Sequence, residues 1–408
     1  MTKVSRAIAG LALGLAGAAS ARAVDLPPGT PLSVRLTTRV SSRASHPGDA
    51  VGAALIAPVE VDGQTVLPAG WILRGTVREA GRLGGRASLR LEFSELVDED
   101  DGTSPIATRI VAVDNSRESV AEDGRIVGLR PKRRLPSPLA SVLMVLAHDH
   151  PITLAAFAAG RLVLRAAQHA AIDYPPGVEL SLALAAPLAV GGDPSPEPGP
   201  AAAADPALSD LAGAVPYRTQ ARRHRPADVT NLLLVGSEAQ VVSAFRAAGW
   251  TRARPMCLRA RLRGLEALVL NSSYAAAPVS RLDLEGRPPD LVFEKQNNTL
   301  AKRHHVRLWR EADPAGRTVW VGAATHDVGI VFARSLHTFT HRIDPRIDEE
   351  RGKIVNDLRL TGSVEATALL DRPHPPEAGP NATGEPIETD GRMALVVLRP
   401  ESAALLPE

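Results

Sequence analysis

One cysteine, Cys257, is all that the 408 residues contain. No intramolecular disulfide can form, and a cysteine-rich zinc site is ruled out. Aromatic residues are scarce at 3%, so alanine, valine and leucine must fill the cores. No apolar run reaches the roughly 20 residues that a membrane-spanning helix needs. Charge of one sign is also missing, since 47 Lys and Arg stand against 45 Asp and Glu, for a net +2. The arginines are spread along the chain rather than gathered in a stripe with aromatics, so no nucleic-acid partner is expected. What is present is ordinary globular composition, 44% hydrophobic and 23% charged, in a chain with room for two or three domains.

The first residues read as an export signal. Lys3 and Arg6 form a positive n-region, and Ala7 to Ala19 is apolar. Ser20-Ala21-Arg22-Ala23 ends in the small-x-small pattern that signal peptidases cut. Residues 1–23 are therefore expected to be removed, and the mature chain to work in the periplasm or at the outer membrane. No cysteine follows the apolar stretch, so a lipid anchor there is not expected.

Residues 24–190 have β texture. Leu32-Ser33-Val34-Arg35-Leu36 and Leu89-Arg90-Leu91-Glu92-Phe93 alternate apolar and polar, and Asp62-Gly63 and Gly84-Gly85 are hairpin-turn pairs. One launch signal recurs. Asp25-Leu26-Pro27-Pro28-Gly29 precedes the strand at 32–36, and Asp173-Tyr174-Pro175-Pro176-Gly177 precedes one at 180–184. Leu67-Pro68-Ala69-Gly70 is a shorter echo. Two such strands, far apart in sequence, are expected to share one barrel or sandwich. An apolar helical hairpin is expected within 137–168, with arms at Leu139–Ala147 and Ile152–Ala159 and a turn at His148–Pro151. The Pro-Pro-Gly-Thr and Leu-Pro-Ala-Gly elements, Gly75 and the closing Pro-Pro-Gly strand resemble the β-barrel domain of TrbI-type secretion-channel proteins. That resemblance implies outer-membrane contact through 137–168.

Residues 191–216, rich in Pro and Ala, read as a stiff linker, and 373–408 as a Pro-rich tail with a possible strand at Met393–Leu398. Between them, 217–372 is α+β. Ser237 caps a helix that buries Val241, Ala244, Phe245 and Ala248 and closes at Gly249. A later helix is expected to start with Asp344 as cap and Pro345 in its first turn, to bury Ile347, Ile354, Val355 and Leu358, and to stop at Gly362.

The densest polar run is Arg303-His304-His305-Val306-Arg307-Leu308-Trp309. In a strand, Val306 and Leu308 face the core, while Arg303, His305, Arg307 and Trp309 line the other face. The return strand is expected to bring His326 near, so Arg303, His305, Arg307 and His326 form a candidate anion site of guanidinium forks and imidazoles. The bland alternative ties Arg307 to Asp348 or Glu350. Catalytic candidates are His305, His341 and Asp344. No spacing diagnostic of a metal motif is present, and no metal or cofactor is expected.

This third unit resembles the LssY C-terminal domain family. Asn231, Gly236, Ala248-Gly249-Trp250, the Arg-His-His-Val-Arg-Leu-Trp run, Trp320-Val321-Gly322-Ala323-Ala324 and His341-Arg342-Ile343-Asp344 carry the likeness. The resemblance implies a membrane or envelope setting and no particular activity. The expected protein is thus mixed in class, an all-β barrel plus an α+β domain. Two functions fit it: an envelope protein binding an anionic molecule or envelope component, or a hydrolase of phosphorylated or acidic substrates.

Overall fold

The computed structural model describes residues 24–62, 64–129, 171–191, 205–221, 224–254, 267, 272–274, 276–277, 279–312, 316–333, 338–373, 379–382 and 384–400. The expected signal (1–23), the apolar hairpin (137–168) and residues 192–204 of the expected linker lie outside them.

The N-terminal unit is a nearly closed barrel. Its wall is built from β1 (Pro31–Leu36), β2 (Ala50–Leu55), β3 (Ile72–Leu83), β4 (Arg86–Val97), β5 (Thr108–Val113) and β6 (Glu179–Leu184). They pair in the order β5-β6-β1-β2-β3-β4. Closure is partial, through Ile106 N–H donating to Ser94 O at 3.0 Å and the Thr108 hydroxyl to Phe93 O at 3.0 Å. Alternation decides the interior: Leu32, Val34, Leu36, Leu89, Leu91, Phe93, Leu180 and Leu182 are all buried in one core.

The repeated launch signal has a geometric reason. β1 and β6 are neighbours, antiparallel, with Leu32 opposite Leu182 and Val34 opposite Leu180. Gly29 donates to Leu184 O and Gly177 to Leu36 O, each at 2.8 Å, so each Pro-Pro-Gly turn latches the far end of the other strand. Both glycines sit in the left-handed region, at φ 91° and 98°. Gly70 does the same for Leu55 O. The hairpin at Gly84-Gly85, with φ 56° and 77°, joins β3 to β4 as expected.

Gly75 answers to a different need. A Cβ there would meet the Glu92 carbonyl oxygen at 2.0 Å and Phe93 Cα at 2.7 Å, where β3 carries a register shift against β4. Gly75→Ala should destabilise the barrel by about 3 kcal/mol, the upper end for an overpacked site. Urea denaturation of the purified variant measures it, and a loss below about 0.5 kcal/mol would contradict the close approach.

The C-terminal unit is α+β. Its sheet contains β7 (Leu232–Val235), β8 (Leu291–Lys295), β9 (Arg303–Ala312), β10 (Thr318–Ala333), β11 (Thr338–Ile343), β12 (Val364–Leu370) and β13 (Met393–Leu398). The main path runs β8-β9-β10-β7-β13-β12, and β11 pairs with the far half of β10. Helices α2 (Glu238–Ala247) and α3 (Ile347–Arg359) cover one face, over Leu232, Leu234, Val306 and Leu308. Helix α1 (Pro206–Ala214) helps cover the other, over Leu233, Trp309, Val319 and Val321.

Several boundaries differ from expectation. The linker was expected to run to 216, but Asp205 caps α1 through its side chain and Leu208 and Ala212 are buried in the domain core. An alanine run reads as linker until a cap and a tertiary face are supplied. The tail strand at 393–398 is no edge appendage: β13 lies between β7, to which it is parallel, and β12. Helix α2 matches expectation, with a Ser237–Gln240 capping box and Gly249 at φ 84°. Helix α3 begins later than expected, because the Asp344 carboxylate accepts from Arg346 N–H and pairs with its guanidinium instead of capping. Val355 is only partly buried, and the chain turns at Gly362 with φ 72°.

Among the described residues no helix is long and apolar enough to cross a membrane.

Candidate functional site

Antiparallel pairing of β9 with β10 sorts the polar run onto two faces. Arg303 opposes Asp327 and His305 opposes Thr325 on one, while His304 opposes His326 on the other. The four expected anion ligands therefore do not converge, since His326 sits on the face away from Arg303, His305 and Arg307. A strand alternates strictly, and the pairing register put an even residue opposite His304.

The face holding Arg303, His305 and Arg307 is no surface. All three are at most 4% exposed, and Trp309 is fully buried with its indole N–H on Arg287 O. Segments outside the sheet cover this face, which sequence alternation alone could not show. The forks are already filled. Arg303 reaches Glu294 at 2.8 Å and Asp327 at 3.1 Å. Arg307 reaches Asp228 at 2.8 Å and the Ser280 carbonyl at 2.9 Å, rather than Asp348 or Glu350. Asp348 instead pairs with Arg351.

Burial pushes the Glu294 carboxyl up to about 7, against the pull of Arg303. Burial would raise Asp327 too, but His305, His341 and Arg303 outweigh it and hold that carboxylate near 2. Desolvation depresses both His305 and His341, against the opposing pull of Asp327. His305 Nε2 bonds the Thr325 hydroxyl at 2.7 Å, and His341 Nδ1 lies 3.3 Å from Asp327. His341 is about a quarter exposed, so this network reaches solvent at its edge.

The opposite face meets the barrel. The loop after β5 enters the C-terminal domain, with Arg117 N–H on Asn298, Asn298 on Glu118, and Lys302 on Ser116 O. Asp114 at the head of that loop accepts from His304 Nε2 at 2.7 Å, while Glu350 of α3 accepts from His304 Nδ1 at 2.6 Å. Burial alone would depress that imidazole, yet Asp114 and Glu350 outweigh it and raise its pKa to about 10. Both ring nitrogens therefore carry protons. Burial opposes the Asp114 charge as well, but His304 and Lys353 hold the carboxylate at about 2. His326 stacks on His304 at 4.1 Å, and burial plus that neighbouring charge lower its pKa.

Beside this cluster lies a second one that fastens barrel to domain. Glu179 of β6 accepts from Arg35 of β1 at 2.8 Å, from Lys295 at 2.6 Å and from Lys353 of α3. Asp357 of α3 accepts from Arg35 at 2.7 Å, Lys295 at 3.0 Å and the Trp250 indole at 2.9 Å. Desolvation would push Glu179 up, but the three cations hold it well below the ordinary range. A cleft of about 410 Å³ opens against both clusters, walled by barrel residues and by α3. Asp344, the third catalytic candidate, lines it with His304 and His326; His305 and His341 do not.

Sequence reasoning missed Asp114, Glu179, Lys295, Lys353 and Asp357. Their only signal was a charged residue in or beside a strand, or on a helix.

Residues 212–393 match the family model described as the LssY C-terminus. The expected family likeness thus holds over the C-terminal domain, from within α1 to the start of β13. No curated protein matches the chain. Among solved structures it is similar to ComB10 of the Com type IV secretion system of Helicobacter pylori. That likeness has 10% identity and a TM-score of 0.24, covering 41% of this chain and 93% of that one.

Proposed function

We propose that this is an exported envelope protein whose barrel and LssY-type domain together hold an envelope component in the cleft between them. The carrying observation is that the cleft has walls from both units, with Ser33 and Ser181 on one side and Asp344, Lys353 and Asn356 on the other. Glu179, Lys353 and Asp357, which help fasten the units, are part of its lining, so docking shapes the cleft. Its lining carries more carboxylates than cations. The occupant is accordingly a neutral polar or cationic group rather than the anion expected from the arginine-rich strand. Export rests on the signal pattern of residues 1–23.

The hydrolase reading draws on the part-exposed His341 beside Asp327. Against it, Arg303 and Arg307, the groups meant to hold an acidic substrate, already hold internal carboxylates.

Photo-cross-linking in native cells tests the binding reading. A reactive side chain at Ser181 or Asn356 should yield adducts in the envelope fraction, with few from Leu83, which is exposed outside the cleft. Equal yields from all three positions, or an intact Met1 on cytoplasmic protein, would overturn it.

A further inference from the structure

We infer that Asp114, His304 and His326 form a site for a divalent first-row transition metal, shared between the barrel and the C-terminal domain. Their ligand atoms all lie within 4.8 Å of one another. A tetrahedral ion with bonds of about 2.0–2.1 Å needs its ligand atoms roughly 3.3 Å apart. His304 Nε2 and Asp114 Oδ2, now 2.7 Å apart, would open slightly, while His326 Nε2, at 4.0 Å from Asp114 Oδ1, would close in. Cross-strand pairing and the 4.1 Å ring stack already hold the two imidazoles side by side.

The surroundings are those of a metal-bound histidine. Glu350 grips His304 Nδ1 from behind, at 2.6 Å, which aims Nε2 forward. Metal-ligating histidines nearly always have such a carboxylate or carbonyl partner on the other nitrogen. Glu350 Oε1 is also buried with no partner among the described residues, so that carboxylate has acceptor capacity left beside His304. A divalent ion would take the place of the proton that His304 Nε2 now shares with Asp114. His326 Nε2 now bonds Asn115 Oδ1 at 3.0 Å, so binding requires that imidazole to carry its proton on Nδ1 and Asn115 to turn aside. Two imidazoles and one carboxylate leave further coordination positions, and the cleft lies against all three residues. Asp114 and His304 are 190 positions apart, so no sequence spacing could announce the site.

The site lies in the cleft of the proposed function but needs only that small solutes reach it. Metal binding by purified protein can therefore fail while the cross-linking result stands, and the reverse. Tag-free full chain, stripped with chelator, is titrated with Zn²⁺ by calorimetry and with Co²⁺ by visible absorption. One equivalent should bind, with a Co²⁺ ligand-field band. His326→Gln and Asp114→Asn should each weaken binding more than about 100-fold and remove the band, and Glu350→Gln should weaken it about 10–100-fold. Circular dichroism confirms that each variant is folded, and His326→Gln is the mildest, because that imidazole makes no ion pair within ordinary hydrogen-bond reach. Absence of stoichiometric binding, or a band unchanged in folded His326→Gln, overturns the inference.

Discussion

Glu179→Gln should destabilise the protein by about 3–5 kcal/mol, the usual result of removing one partner from a buried ion pair. Glu179 is 7% exposed and answers three cations, Arg35, Lys295 and Lys353. The amide leaves mainly Asp357 to balance them, in a setting where burial has stripped much of the water from each cation. Adding Lys353→Met should recover part of the loss, because the double variant buries fewer unmatched charges. The defect should be pH-dependent. Lys353, Lys295 and Arg35 overcome burial and depress the folded-state pKa of Glu179, so its stabilisation is complete above the unfolded value near 4.3. It is lost as pH falls through the folded value. Urea melts at pH 7 and pH 3 test this: the gap between wild type and Glu179→Gln should narrow at the lower pH. A gap that stays constant would mean the carboxylate is not the source of the effect.

Arg307→Ala should also cost about 3–5 kcal/mol, and added phosphate should not restore any of it. Arg307 is 2% exposed and its fork is shared between Asp228 and the Ser280 carbonyl. Removing it strands Asp228, whose carboxyl burial already pushes above its ordinary range despite the guanidinium alongside. That acid would then take up a proton. For a domain of this size the loss corresponds to about 2–4 °C in Tm per kcal/mol. Arg307→Lys should recover only part, since one ammonium can meet Asp228 but cannot also present a planar fork to Ser280. A thermal scan with and without phosphate separates the outcomes. Phosphate stabilising wild type but not Arg307→Ala would show that the arginine is available to an external anion after all.

These two residues mark where legibility ended. Arg307 was visible in the sequence as chemistry, within an arginine- and histidine-rich strand, but its partner was not. Asp228 precedes it by 79 positions and no local pattern joins them. Glu179 was visible only as a polar residue in a strand that alternation had already assigned.

Local order was set by the sequence alone. The Pro-Pro-Gly turns, the alternation of Leu32 to Leu36 and Leu180 to Leu184, and the Ser237 capping box depend on backbone sterics and on period, which act over a few residues. From those follow the expectation of one barrel or sandwich holding both strands and of an α+β domain; that β1 and β6 are direct neighbours was shown by the structure. Tertiary structure alone decided what each polar side chain is for. Whether a strand has one covered face or two depends on what packs above it, so the face carrying Arg303, His305 and Arg307 became interior. Cross-strand register set His326 beside His304 instead of His305. Docking of the barrel then brought Asp114 and Glu179 against α3 and β9, and burial gave those charges their strength by removing the water that would have screened them.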